Sequence, residues 1–157
     1  MEHVISMIKK LILLLIRLGS GILMFMQGYE KLTGGFAIDG LVPVVIQNQD
    51  SPEWYKSFFE HVVASFIPAF NWLVPLGEIA IGLALIFGVM TYTASFFCAF
   101  MMLNYILADM IFSYPTQLFF FIIILMNKQT IQQLDLRLLY RLRKRRGDGH
   151  VAHPDRG

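Results

Sequence analysis

The sequence predicts an all-α fold: an integral membrane four-helix bundle with an extracytoplasmic amphipathic helix between the first and second spans. Three observations carry that prediction. Of 157 residues, 56% are hydrophobic and only 15% charged, with a mean hydropathy of +0.58, which is more apolar surface than a soluble fold of this size can hide. The apolar residues gather in long runs rather than alternating with polar ones. Of the thirteen Lys and Arg, only Lys31 and Lys56 lie between Gly28 and Asn127. The same figures exclude a multidomain soluble enzyme and a disordered segment. A disulfide-stapled module is excluded too, because Cys98 is the one cysteine.

The first span is expected at about 5–27. It has Lys9 and Lys10 near its start and Arg17 deep within it, and at roughly 1.5 Å per residue it can cross a core about 30 Å thick. A signal peptide would share the basic start and the run Leu11 to Ile16. Arg17 interrupts that run, and no A-x-A-like cleavage site follows, so a retained span is the better reading. The second span, about 68–90, carries Glu78; the third, about 92–109, carries Asn104. The fourth, about 114–128, is short. A start near Tyr114 puts Pro115 in the first helical turn, where its missing N–H matters least. Lys9 and Lys10 precede the first span, while Lys128 and seven more basic residues from Arg137 to Arg156 follow the last. That asymmetry puts both termini in the cytoplasm and requires an even number of crossings.

The long connection between Gly28 and Pro68 is expected to hold structure of its own. Ser51, Pro52 and Glu53 read as a helix start: a capping hydroxyl, a proline at the first position and an acid near the positive end of the dipole. An interfacial helix at about 52–66 follows, its apolar face made of Trp54, Tyr55, Phe58, Phe59, Val62, Val63 and Phe66. Phe36 to Ile46, broken by Gly40 and Pro43, predicts a short helix or re-entrant turn. Residues 129–157 read as a basic cytoplasmic tail. Its Arg141, Arg143, Lys144, Arg145 and Arg146 are expected to contact anionic lipid head groups rather than nucleic acid, at about 1 kcal/mol per basic residue.

Charges at membrane depth are costly unless paired, which makes Arg17 and Glu78 the most informative residues. Measured from Gly28 and from Pro68, the two lie at roughly equal depths of about 15 Å on antiparallel helices, so they are expected to form an ion pair. Such a pair either specifies helix register alone or lines a polar pocket. The candidate ligand-binding residues of that pocket are Arg17, Glu78, Asn104, Gln27, Tyr29, Lys31, Trp72 and Tyr105. Donors, an amide and aromatic rings there suit a quinone-like head group. Gly19, Gly21 and Gly28 on the first span, and Gly77, Gly82 and Gly88 on the second, favour close helix approach.

Other signals carry little. His150 and His153 with Asp148 and Asp155 suggest a metal only by composition, so no metal site is expected. The tripeptide Arg146, Gly147, Asp148 falls on the cytoplasmic side of the expected topology. A lone Cys98 permits no internal dithiol chemistry. No phosphate-binding glycine loop, pair of intramembrane histidines or nucleophilic triad is present.

Arg17 with Gly21, then Gly28, Tyr29, Glu30, Lys31 and Leu32, and later Pro75, Leu76, Gly77, Glu78, Ile79, Ala80, Ile81, Gly82 and Leu83, resemble the DoxX family of small membrane proteins. The likeness is strongest to its branch similar to the DoxD subunit of thiosulfate:quinone oxidoreductase. It extends over roughly residues 10–128 and leaves the tail outside. The resemblance implies four membrane helices in a bacterial or archaeal cytoplasmic membrane and a role in quinone-linked sulfur oxidation or in oxidative-stress complexes. The expectation is therefore an accessory component of a membrane redox system that takes a quinone or other lipid, with no covalently bound cofactor. Its partners would be membrane lipids and a redox subunit or a second copy of itself. The sequence shows no redox centre of its own, so electron transfer would need a partner subunit or the bound quinone. A proton-coupled transporter using Glu78 and a structural scaffold are the alternatives. Arg17 at the depth of Glu78 counts against the transporter.

Overall fold

The computed structural model describes residues 1–110 and 113–135. These are mostly helical, with no strand among them. Helix α1 covers Glu2–Thr33, α2 Leu41–Gln47, α3 Glu53–Phe58, α4 Ile67–Phe87, α5 Thr91–Leu107 and α6 Tyr114–Met126. A 3₁₀ turn, Ile38–Gly40, leads into α2, and a π turn, Phe59–Val63, with a 3₁₀ turn, Ala64–Phe66, joins α3 to α4. Residues 128–135 are helical as well. Two helical runs, Glu2–Thr33 and Glu53–Phe87, are long and apolar enough to cross a membrane. Thr91–Leu107 and Tyr114–Met126 are apolar but shorter.

Helix α1 buries Leu13, Arg17, Ser20, Gly21, Met24 and Gly28, one stripe at helical spacing. It ends where two glycines meet: the Gly34 N–H donates to the Glu30 carbonyl, and Gly35 takes a left-handed φ of 72°. The expected end near Gln27 is thus six residues early, because a single glycine inside an apolar run does not stop a helix that is packed on a neighbour. That neighbour is α4, antiparallel to α1. A side chain at Gly28 would meet Pro75 O at 2.7 Å and Ile79 N at 2.8 Å; one at Gly82 would meet Phe25 N at 2.6 Å. Gly21 faces Leu85 in the same way, whereas Gly19 and Gly77 face open space. Three of the six glycines therefore set the approach of these helices, and Gly88, with φ 66°, instead ends α4.

Two apolar cores result. Leu13, Met24, Leu85, Cys98, Met102, Phe121, Ile124 and Ile131 form the core of the bundle. Ile38, Val42, Val45, Tyr55, Phe59, Val63 and Ala108 form a second core under a cap made by α2, α3 and the π turn. The broken stretch from Phe36 onward has become the 3₁₀ turn and α2, with Pro43 tolerated in its first turn. In the cap helix only Tyr55, Phe59 and Val63 are buried, a narrower stripe than the aromatic face drawn from the sequence; Trp54 and Phe66 are exposed. Ser51 does not cap α3. Its hydroxyl donates 2.8 Å to the Leu107 carbonyl, satisfying the open end of α5, and Pro52 occupies the cap position. The Tyr55 hydroxyl likewise donates to the Asn104 carbonyl at 2.8 Å.

The fourth apolar helix starts at Tyr114 with Pro115 in its first turn, as the sequence predicts. Its continuation is not a free tail. The Lys128 ammonium lies 4.8 Å from the Tyr92 ring centre, and Asp135, seven residues on, hydrogen-bonds Thr91. Both ends of the segment reach the start of α5, so residues 128–135 run across the end of the bundle, with Ile131 fully buried. Arg141, Arg143, Lys144, Arg145 and Arg146, expected to meet lipid head groups, lie outside the described residues, as do His150 and His153.

Candidate functional site

The polar cluster assembles where α1, α4 and α5 meet beneath the cap. Glu78 sits on the buried stripe of α4 with Pro75, Gly82 and Leu85, and its side chain is 0% exposed. Its Oε1 accepts from the Lys31 ammonium on α1 and, at 2.5 Å, from the Tyr105 hydroxyl on α5. Lys31 also donates to the Tyr105 oxygen at 3.0 Å, closing a triangle, and its Nζ lies 4.6 Å from the Tyr105 ring centre. Tyr105 packs in turn on Tyr114 at the start of α6, ring centres 4.7 Å apart. Burying a carboxylate is tolerable only with such partners, and here three helices each supply one member.

A cleft of about 460 Å³ opens beside this triangle, lined by Gln27, Glu30, Lys31, Gly34, Phe36 and Tyr114. Its walls come from the last turns of α1, the connection just after it and the first turn of α6, and Lys31 is shared between the buried cluster and the open space. Two acceptors at this level have no hydrogen-bond partner among the described residues: Gln27 Oε1 and Glu78 Oε2.

Of the residues expected to form one pocket, Glu78, Lys31, Tyr105 and Gln27 come together. Arg17 does not join them. Its guanidinium donates to Asp135 Oδ1 at 3.2 Å at the opposite end of the bundle, against Gly88, and the expected Arg17 to Glu78 pair is corrected accordingly. The cause is register. With Gly28 level with Glu78, and Gly21 with Leu85, Arg17 comes level with the end of α4, about 15 Å along the axis from Glu78. Equal depths follow from taking Gly28 as level with Pro68, whereas in the structure it is level with Glu78, ten residues further along α4. Trp72 is 62% exposed, since it is one position out of phase. Asn71, about 100° round the helix, faces inward and accepts from the Ile38 N–H at 2.7 Å. Tyr29 is exposed on the face of α1 away from the cluster, stacked on Phe25. The Asn104 amide donates to the Phe100 carbonyl of its own helix, which leaves it bonded locally rather than reaching Glu78.

The sequence reading missed Tyr114, Phe36 and Glu30, and at the far end Thr91 and Asp135. Asp135 Oδ2 accepts from the Thr91 N–H at 3.1 Å and Oδ1 from the Thr91 hydroxyl at 2.8 Å, which places a carboxylate at the N-terminus of α5. A signal for the correct pairing existed in the glycine pair Gly34–Gly35, the strongest helix stop after Arg17. It puts Lys31 inside α1, three residues past Gly28 on the same side.

The family model described as DoxX matches residues 12–110, which spans the cluster except Tyr114. No curated protein and no solved structure matches the chain.

Proposed function

Since the chain belongs to the DoxX family of membrane proteins, we propose that it is a four-span accessory protein of a membrane redox system that holds the polar head of a quinone-class amphiphile in the cleft beside Lys31. In this reading α1, α4, α5 and α6 with its continuation cross a bacterial or archaeal cytoplasmic membrane. Both termini are cytoplasmic, and the cap of α2 and α3 is on the outer side. One observation carries the proposal: Lys31, bonded to the fully buried Glu78 and to Tyr105, also lines an open cleft with Phe36 and Tyr114.

The cleft's position supports it. It lies between the bundle core and the cap core, at the gap between α1 and α6, so a lipid-soluble molecule would enter sideways from the outer leaflet. Phe36 and Tyr114 offer ring faces for an aromatic head. The chain supplies binding and orientation in this reading, and a partner subunit or the bound quinone supplies electron transfer. Cys98, the one cysteine, is buried in the bundle core and takes no part.

The test is to purify the protein in mild detergent, extract its lipids and quantify quinone by mass spectrometry, for wild type, Lys31→Met, Glu78→Gln and Arg17→Ala. Co-purified quinone is expected in the wild type and in Arg17→Ala, with loss in the other two. Absence from the wild type, or equal amounts in all four, would overturn the proposal. Proton flux into liposomes that disappears in Glu78→Gln would favour the transporter instead.

A further inference from the structure

We infer that the group this cleft anchors is a hydroxyl on a neutral aromatic head, so that the site selects the reduced, hydroxyl-bearing form of its ligand. The inference rests on the binding reading above and adds which chemical form is held. Gln27 and Lys31 stand one turn apart on α1 and both line the cleft. They offer opposite unmet capacities. Lys31 carries three N–H bonds and uses two, on Glu78 and Tyr105, so one is left for a ligand oxygen. Gln27 Oε1 is buried and has no donor among the described residues. With the Gln27 amide turned as it is in the structure, a single ligand oxygen reaching both would accept from Lys31 and donate to Gln27 Oε1. A hydroxyl does both; a carbonyl or an ether oxygen can only accept.

The charge balance narrows the class further. The ammonium of Lys31 is already opposed by Glu78, and Glu30 also lines the cleft, so no cationic surplus is left for a phosphate head group. An anionic phospholipid is therefore disfavoured, and a neutral hydroxyl compound fits. Tyr114 and Phe36 on the walls favour a ring over an aliphatic alcohol. An orphaned buried acceptor is costly, and a ligand that supplies its missing donor recovers that cost, an advantage a ligand with only acceptors cannot claim.

The experiment measures binding of four probes to the full-length protein in detergent, under anaerobic conditions: a short-chain hydroquinone, the corresponding quinone, the dimethyl ether of that hydroquinone, and a long-chain alcohol. Hydroquinone is expected to bind roughly five- to tenfold tighter than quinone or ether, the worth of one buried hydrogen bond. In Gln27→Leu, and in Gln27→Met as a second apolar replacement, that preference should vanish. Equal or tighter binding of quinone, or a preference that survives both replacements, would overturn the inference and leave the binding proposal standing. Alcohol matching hydroquinone would overturn the aromatic part. If none of the four binds, the binding proposal itself falls, and this inference with it.

Discussion

Glu78 spends one carboxylate oxygen on two donors from two other helices, so each partner should be felt strongly when removed. Lys31→Met leaves a buried carboxylate without its cation, and a loss of about 3–5 kcal/mol is expected, read as a fall in thermal midpoint in mild detergent. Double-mutant cycles then separate the two ion pairs. Lys31 with Glu78, and Arg17 with Asp135, should show coupling of about 1–3 kcal/mol, whereas Arg17 with Glu78 should be additive to within about 0.5 kcal/mol. Substantial coupling in the last cycle would place the two charges together after all. That Arg17 and Glu78 are buried was legible from their position in apolar runs; who pairs with them was not. Pairing depends on register, and a shift of a few residues in where α1 ends moves its partner level by several ångströms. Phase was equally hidden at Trp72 and Asn71, neighbours in sequence that face different ways.

The contact of α1 with α4 makes sharp distinctions among chemically identical residues. Gly28→Ala and Gly82→Ala would each push a methyl group into backbone atoms that cannot move aside, at an expected cost of about 1–3 kcal/mol. Gly19→Ala and Gly77→Ala meet nothing and remove a flexible residue from a helix interior, so they should be neutral or stabilising by up to about 1 kcal/mol. Thermal unfolding of the four variants checks both halves; similar losses in all would mean that the two helices meet differently. The existence and type of each long helix were readable from apolar runs and proline placement. The ends were less so, because Ser51 and Gly28 look like boundary residues locally and are claimed by distant partners, Leu107 and α4.

On the scale of the whole molecule, two cores and a polar layer between them define an axis, and the proposed topology gives that axis a direction. Ser57→Cys on the exposed face of α3 should react with a membrane-impermeant thiol reagent on intact cells. Glu2→Cys at the start of α1 should react only after permeabilisation, and Cys98, fully buried, not at all. Labelling of position 2 alone from outside would reverse the orientation. The proposed direction rests on the charge asymmetry of the sequence. The cap core was less visible, since α2 is short and its burial depends on residues distant in sequence, from α3, the π turn, the first turns of α4 and the end of α5.

Arg17 and Asp135 are separated by 118 positions, and that distance has a meaning in time as well as space. During synthesis the guanidinium of the first helix is made early, while its carboxylate emerges only after α6. Until then α5 begins without its acceptor and α1 carries an unanswered charge. The Arg17 charge is thus answered only when the segment that crosses the end of the bundle arrives, after all the apolar helices have been made. Truncations that stop before residue 135 would leave every apolar helix intact and still hand the cell an unfinished protein.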